Sequence, residues 1–224
     1  MSGAPDIESR SKRRDKRHQD IVETAAKLFA EAGYADCDME RVASALGIAK
    51  GTLYLYFAGK QELFFACVDW GMKQLQHVVR AGAESTDEPF EKIHHAIRAY
   101  LVFFEDHPQY VELLLQERAI FRDRVSSSYF DHRKTTRDYF RQLYTTLIAD
   151  GRLRDDVPVE RILDTIGALV YGTMFTNHFV GRSLTPDVQY ETLMEAVFRG
   201  WLSDSERAKW RLCQTQCESN PTAG

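Results

Sequence analysis

Residues 39–58 read MERVASALGIAKGTLYLYFA. Ala43 is small, as the crossing point of two close helices requires, and Gly47 follows four residues later, just past the first apolar run. Glycine at such a place adopts a positive φ without steric cost. Leu53, six residues further on, is expected to point back toward Val42 and Leu46. This spacing predicts a helix, a tight turn and a second helix sized for a DNA major groove.

The composition favours a soluble, all-α protein. Of 224 residues, 44% are hydrophobic and 28% charged, with only 6 prolines, and strand-like alternation is nearly absent. The N-terminus lacks the apolar region of a signal peptide, and the least charged window, residues 165–181, is too short for a membrane span. The four scattered cysteines include no C-x-x-C pair, which suits a reducing compartment. We expect a cytoplasmic protein with no membrane partner.

The net charge of −4 argues against a nucleic-acid binder, but its distribution does not. Residues 10–17, RSKRRDKR, carry six Lys or Arg against one Asp. Positive charge is therefore concentrated in a short segment ahead of the first predicted helix.

Apolar periodicity, together with glycine and proline breaks, predicts about nine helices. Their expected spans are 14–32, 39–46, 50–57, 60–83, 89–106, 109–116, 122–149, 159–180 and 186–203. Asp38 is expected to cap the second of these, although Arg41 stands where a capping box would have Glu or Gln.

Four motifs in the first third of the chain resemble the TetR family of transcriptional regulators. They are A-x-x-L-F at Ala25–Phe29, G-Y at Gly33-Tyr34, V-A-x-x-L-G-I-A-K-G-T-L-Y-L-Y-F at Val42–Phe57 and G-K-Q-E-L-F at Gly59–Phe64. The resemblance implies a homodimer with an N-terminal three-helix DNA-binding unit and a C-terminal helical domain that binds a small molecule. Effector binding would spread the two recognition helices and release DNA.

Under this resemblance the chain divides into four segments. Residues 1–12 form a flexible arm, 13–62 the helix-turn-helix domain, 63–204 the ligand-binding and dimerisation domain, and 205–224 a polar tail. The chain departs from the family pattern before Met39, where many members carry Thr or Ser that caps the helix and touches phosphate. Cys37 and Asp38 stand there instead, and Asp repels phosphate.

The predicted DNA contacts lie on the recognition helix, after it and in the basic segment. Thr52 and Lys50 have groups that can reach base edges, and the tyrosines have hydroxyls that can reach phosphate. By contrast, Thr52 could merely cap the helix, and the arm could be a solvated tail. The candidate residues are Lys50, Gly51, Thr52, Tyr54, Leu55, Tyr56, Lys60, Arg13, Arg14 and Arg17, with Lys12 and Lys16 beside them.

The C-terminal part is rich in aromatic residues, as expected of an apolar pocket with a few orienting polar groups. The candidate ligand-binding residues are Phe104, Tyr110, Leu114, Tyr139, Leu143, Tyr171, Met174, Phe175 and His178. Each could equally be ordinary core. The aromatic content suggests an apolar or aromatic effector.

The helix over 159–180 is apolar on more than one face, so we expect a partner to cover one side. With the last helix it would form a four-helix dimer interface. The candidate interface residues are Ile166, Gly167, Val170, Leu193, Val197 and Trp201. The alternative is a helix fully buried in a monomer.

No catalytic or metal-binding pattern is evident, and no cofactor is expected. His94 and His95 are adjacent and diverge on a helix, and Cys213 and Cys217 have no nearby His. The sequence therefore predicts a DNA-binding transcriptional regulator, a repressor released from its operator by a small molecule. An activator with the same DNA head and a helical-bundle enzyme with a vestigial head are the alternatives.

Overall fold

The computed structural model describes residues 4–124, 127–181, 185–201 and 203–206, with side chains at residues 9–195 and 203–206 of these ranges. The predicted all-α fold is confirmed. The helices are α1 (Ala4–Asp36), α2 (Met39–Ala45), α3 (Lys50–Tyr54), α4 (Lys60–Glu84), α5 (Pro89–Asp106), α6 (Pro108–Ile120), α7 (Ser128–Ala149), α8 (Val159–Val180) and α9 (Pro186–Trp201).

Helix α1 starts earlier than predicted. The sequence prediction placed a flexible arm at residues 1–12 and a helix from Arg14, whereas the structure is helical from Ala4. Arg and Lys, which are frequent at residues 10–17, lose little side-chain freedom in a helix, so their polarity does not exclude one. Near its other end α1 is interrupted at Gly33, which has φ 81° and ψ 158°. The predicted break at this glycine is therefore present within the element.

The described residues form two compact units that alternate along the chain. The first contains the described residues up to Gln76 and those of Asp106–His132. The second contains His77–Glu105 and the described residues from Arg133 onward. The predicted boundary between the DNA-binding and ligand-binding domains lies after residue 62, whereas in this division α4 up to Gln76 and the whole of α6 group with the N-terminal helices.

The core of the first unit is built around the buried face of α1. Ile21, Val22, Ala25 and Phe29 are fully or almost fully buried and recur at the 3–4 residue spacing of one helix face. Phe64 of α4, also fully buried, meets the ring of Phe29 edge-on at 5.3 Å. Burial of side chains of this size stabilises the fold by about 1.5–3 kcal/mol each, so this face supplies much of the cohesion of the unit.

Rings from three separate segments surround Phe64. Tyr34 lies 5.1 Å from Phe64 edge-on, Phe121 lies 5.7 Å away, and Phe65 stacks obliquely on Phe121 at 4.7 Å. Tyr34 and Phe121 also meet edge-on at 5.2 Å. This aromatic cluster, comprising Phe29, Tyr34, Phe64, Phe65 and Phe121, joins α1 and α4 to the residue that follows α6.

Helix α6 is held in the first unit by two further contacts. The Gln116 side chain donates a hydrogen bond to the carbonyl oxygen of Phe29 (2.9 Å). Tyr110 lies flat against Gly71 of α4, so closely that a Cβ atom at Gly71 would overlap the tyrosine ring. Only glycine therefore permits this approach of α4 and α6.

A buried carboxylate fixes the segment between α6 and α7. Glu117 is 2% exposed and accepts hydrogen bonds from Arg124 Nη1 (2.6 Å) and from the Ser128 hydroxyl (2.8 Å) and backbone amide (3.1 Å). The Arg124 guanidinium also stacks on Phe65 at 4.5 Å. The hydrogen bond from the Ser128 backbone amide to Glu117 explains why α7 begins at Ser128 and not at residue 122 as predicted. It gives an acceptor to an amide of the first helical turn, which has none within the helix.

The second unit is held by an aromatic core and by ion pairs. Tyr100, Phe103 and Phe104 of α5 are buried, and the Tyr100 hydroxyl lies 3.6 Å from the sulfur of Met174 in α8. Arg137 of α7 donates to Glu160 (2.6 Å) and Asp164 (2.7 Å) of α8. These carboxylates raise the pKa of the Arg137 guanidinium through their hydrogen bonds. The pairs are exposed enough that we attribute the stability of this unit mainly to its apolar core.

Replacement of Gly71 by Ala is expected to lower the free energy of unfolding by about 1–3 kcal/mol, because the new methyl group overlaps the rigid ring of Tyr110. Gly51→Ala is the matched control, since nothing lies within 4 Å of a Cβ placed there. Urea unfolding followed by circular dichroism measures both. Equal stability of the two variants would contradict the close packing of α4 on α6.

Candidate nucleic-acid interface

The turn between α2 and α3 has the predicted backbone. Gly47 has φ 63°, and Ala43 and Leu53 are buried where the two helices meet. The amide of Ile48 donates to the carbonyl oxygen of Ala43 (3.0 Å), and that of Gly47 donates to Ser44 (3.1 Å). Bonds of this kind close a helix whose terminal glycine is left-handed. They fix the direction in which α3 leaves the turn.

The start of α2 is capped as the sequence predicted. The Asp38 carboxylate accepts a hydrogen bond from the Arg41 amide (2.8 Å). Cys37, where the family pattern has a phosphate-touching hydroxyl residue, is fully buried, and burial raises the pKa of its thiol. Neither side chain therefore offers an accessible donor to a phosphate.

Helix α3 buries one face and exposes the other. It ends at Tyr54, three residues short of the prediction, although the chain continues in helical turns through Leu55. Leu53 is fully buried, whereas Tyr54 is 47% and Leu55 77% exposed. Gly51 is exposed as well, and a Cβ there would meet only open space. The outer surface of α3 is therefore accessible to a flat partner.

Two predicted cations have protein partners. The Lys50 ammonium lies 3.4 Å from the Glu40 carboxylate, with both side chains largely exposed. The Lys60 ammonium donates to the carbonyl oxygen of Ala35 (2.9 Å) and lies 4.5 Å above the Tyr34 ring. Lys60 thus ties the end of α1 to the start of α4, and its predicted role as a phosphate anchor stays a prediction.

Five cations form a groove beside the helix-turn-helix. Its lining consists of Arg10, Arg13, Arg14, Lys16, Arg17, Asp20 and Tyr56, and its volume is about 650 Å³. The prediction included Arg13, Arg14, Arg17 and Tyr56 as DNA contacts but missed Arg10 and Asp20. Positions 10, 13, 14 and 17 follow the spacing of one helix face, so the signal was present once this segment is taken as a helix.

The nine predicted ligand-binding residues are divided between the two units. Tyr110 and Leu114 are buried in the first, and Tyr110 packs on Gly71 there. The remaining seven belong to the second unit, where Phe104 and Met174 are buried and Tyr171 meets Phe175 edge-on at 4.7 Å. Tyr139 lies under the Arg80 guanidinium at 3.7 Å, and its hydroxyl is buried without a hydrogen-bond partner among the described residues.

The predicted dimer face of α8 is largely turned inward. Gly167 and Val170 are buried, and Gly167 is covered by the Arg133 guanidinium, which donates to the Leu163 carbonyl oxygen (3.0 Å). An arginine from α7 thus fills the space above the glycine, and the interface role of Gly167 and Val170 stays a prediction. Ile166 and Leu193 are half-buried, and the side chains of Val197 and Trp201 lie outside the described residues, as do Cys213 and Cys217.

The apolar surface of α8 that is exposed lies elsewhere on the helix. Phe179 is 67% and Val180 62% exposed. Leu169, about three helical turns before them, is exposed on a side shared with Ala168 and Gly172. Helical spacing alone left both faces of α8 possible. The prediction missed this one because the position of Arg133 could not be read from periodicity.

Two negative findings concern the described ranges only. No helix there combines the length and apolar character needed to cross a membrane. Among the same residues, His, Cys, Asp and Glu form no group of three or more placed to hold a metal ion.

Two family models match the chain and together span well over half of it. The model described as bacterial regulatory proteins, tetR family, matches residues 21–67, which contain the helix-turn-helix. The tetracyclin repressor-like C-terminal domain matches residues 89–199. The chain belongs to the TetR family of bacterial regulatory proteins.

Curated relatives of the chain are described as transcriptional regulators. The transcriptional repressor KstR2 of Mycobacterium tuberculosis is 27% identical over 153 residues, covering 66% of this chain and 74% of the relative. The transcriptional activator FasR of Mycolicibacterium smegmatis is 25% identical, covering 51% and 52%. The regulator YerO of Bacillus subtilis is 28% identical, covering 52% and 41%. The match to FasR and YerO thus spans about half the length of those relatives.

Solved structures support the fold. The ketosteroid transcriptional regulator KstR2 of Mycobacterium tuberculosis superposes with a TM-score of 0.63 at 22% identity, covering 84% of this chain and 96% of that one. The fatty acid degradation regulator FadR of Bacillus halodurans gives 0.70 at 14% identity, covering 81% and 94%. At these identities the likeness concerns the fold alone.

Replacement of Asp38 by Ala is expected to destabilise the protein by about 1 kcal/mol, because the Arg41 amide loses its acceptor. Asp38→Asn, which keeps an oxygen at the same place, should retain wild-type stability. Thermal unfolding of the three proteins measures the difference. A loss as large in Asp38→Asn as in Asp38→Ala would show that the charge matters and the cap does not.

Proposed function

We propose that this protein is a sequence-specific DNA-binding regulator of transcription and that α3 is its recognition helix. The observation that carries the proposal is the exposure of Leu55, a large aliphatic side chain left 77% exposed beside the half-exposed Tyr54. The inner face of the same short helix is fully buried through Leu53. An apolar side chain held outward by a rigid turn suits contact with a thymine methyl group in a major groove.

The remaining groups of this surface divide by the DNA atoms that they suit. Gly51 leaves room for close approach of the backbone, and Thr52 and Lys50 carry donors for base edges. The hydroxyls of Tyr54 and Tyr56 suit phosphate oxygens, which position the protein without specifying sequence. Lys50 would exchange its exposed pairing with Glu40 for DNA at little cost, because exposed ion pairs contribute about 0–1 kcal/mol.

We propose that two copies associate through the exposed apolar surface of α8 formed by Leu169, Phe179 and Val180. Ala168 and Gly172, exposed on this side, would allow close approach of a second helix. The family membership supports a homodimer, and a second copy of the chain carries the same surface, as a two-fold interface requires. The dimer would carry two recognition helices, as recognition of a two-fold symmetric operator requires.

We propose a repressor that an apolar or aromatic small molecule releases from DNA. The buried rings of the second unit and the unpartnered hydroxyl of Tyr139 support an apolar ligand with one polar group for that oxygen. The names of KstR2 and FadR, which refer to a ketosteroid and to fatty acid degradation, favour a lipid-like effector. Such a ligand would act by binding the DNA-incompetent state more tightly.

An activator is the second candidate, because the relative FasR is described as one. The same DNA head serves either role. Transcript levels of the neighbouring genes in a deletion strain separate them: they rise when a repressor is lost and fall when an activator is lost.

Replacement of Leu55 by Ser or of Tyr54 by Ala is expected to weaken binding about tenfold, or about 1.4 kcal/mol, to a duplex that the wild-type protein selects from a random library. Both side chains are exposed, so the unfolding temperature should change little. Ile120→Ser is the control, since it removes an exposed aliphatic side chain on α6. Binding is measured by fluorescence anisotropy. Wild-type affinity in both α3 variants would contradict the assignment of α3.

A further inference from the structure

The N-terminal part of α1 forms a cationic face that continues the buried face of the same helix. Going backward from Ile21, the positions in register are Arg17 and His18, then Arg14 and Arg13, then Arg10. His18 still touches the core, with its ring 5.0 Å from that of Phe57. Beyond His18 the apolar side chains give way to arginines. The arginines therefore project from the side of α1 that faces the helix-turn-helix, and not from its opposite side.

The opposite wall of this groove is Tyr56, two residues after the end of α3. The groove and the exposed surface of α3 thus share an edge. Among the residues that the structure describes, no carboxylate lies within 4.0 Å of the charged nitrogens of Arg14, Lys16 or Arg17. Five cations and one carboxylate, that of Asp20, line the groove, so its lining carries a net charge of +4.

We infer that this groove, lined by Arg10, Arg13, Arg14, Lys16, Arg17 and Tyr56, binds the sugar-phosphate backbone of duplex DNA next to the base pairs that α3 contacts. The inference rests on the proposed function and adds a second, sequence-independent contact surface. Arginine and lysine side chains match phosphate oxygens, and the Tyr56 hydroxyl can donate to one. From Arg10 to Arg17 the helix rises about 10 Å, the length of roughly three base pairs.

The helical conformation of α1 favours contact with backbone phosphates over insertion into the minor groove. An extended arm can enter a minor groove and read its width, whereas a helix with side chains is about 10–12 Å across. The minor groove of B-DNA is only about 6 Å wide. Since α1 is helical from Ala4, its arginines can lie along the backbone but the helix cannot enter that groove. Base identity in the flanking DNA should then have little influence.

The test uses the full-length protein and a duplex that the wild-type chain selects from a random library, with flanks of ten base pairs. The double variant Arg14→Gln with Arg17→Gln keeps side-chain length and helix propensity but removes two charges. We expect at least tenfold weaker binding, and a smaller slope of log affinity against log salt by about 0.9 for each phosphate contact removed. Removal of the flanks should weaken the wild type more than the double variant, which keeps three of the five cations of the groove.

Two single substitutions supply the matched comparison. Lys16 lines the groove, whereas Lys27, exposed three turns further along α1, does not, so Lys16→Gln should weaken binding more than Lys27→Gln although each removes one lysine charge. Asp20→Asn should strengthen binding, because it removes the carboxylate that faces the phosphates. Equal effects of the two lysine variants, or weaker binding by Asp20→Asn, would overturn the inference.

Flank composition and the wild-type result separate the remaining outcomes. Exchange of A·T for G·C in the flanks should leave wild-type affinity unchanged, and a tenfold loss would indicate minor-groove reading and overturn the inference. If the wild-type chain selects no duplex at all, the proposed function fails. If it selects one and the double variant binds as tightly, only the inference about the groove fails.

Discussion

Burial of Phe64 is the interaction on which the first unit depends. Its ring is fully enclosed and meets Phe29, Tyr34 and Phe121, which come from the middle of α1, its end, and the residue after α6. The same contacts set the angle at which α4 leaves the helix-turn-helix. Loss of this ring would leave a cavity at the junction of three segments, and truncating a buried Phe to Ala costs about 3–5 kcal/mol.

Around this aromatic cluster, polar contacts fix the ends of the helices that the apolar side chains hold together. Lys60 joins the carbonyl end of α1 to the first turn of α4, and Glu117 gathers Arg124 and Ser128 at the end of α6. Replacing Arg124 alone is costly, because the Glu117 carboxylate then stays buried without its charged partner. The orientation of α3 is thus supported by packing from behind, while its outer surface carries almost none of the stability.

Much of the fold could be predicted from local signals. Gly47 required a positive φ, Asp38 capped the helix after it, and Pro89, Pro108 and Pro186 began helices near the expected positions. Features that depend on one residue type at one position, such as a left-handed turn, a helix cap or a helix start, could therefore be predicted from the sequence. The start of α1 was missed because charged residues permit a helix without requiring one, and α7 starts late because of a bond to Glu117 from α6.

The division of the chain could not be predicted from periodicity, because it depends on side chains distant in sequence, Tyr110 against Gly71 and Arg133 over Gly167. It has a consequence for synthesis and for chimeras. The first unit needs residues 106–132, so at about 5–20 residues per second its completion follows the emergence of Gln76 by roughly 3–11 s. During that interval Phe64 lacks one of its covering rings. A DNA head cut after residue 62 would lack Phe64 itself and would leave the rings of Phe29 and Tyr34 uncovered, so a transferable head has to bring α4 up to Gln76 and the whole of α6 with it.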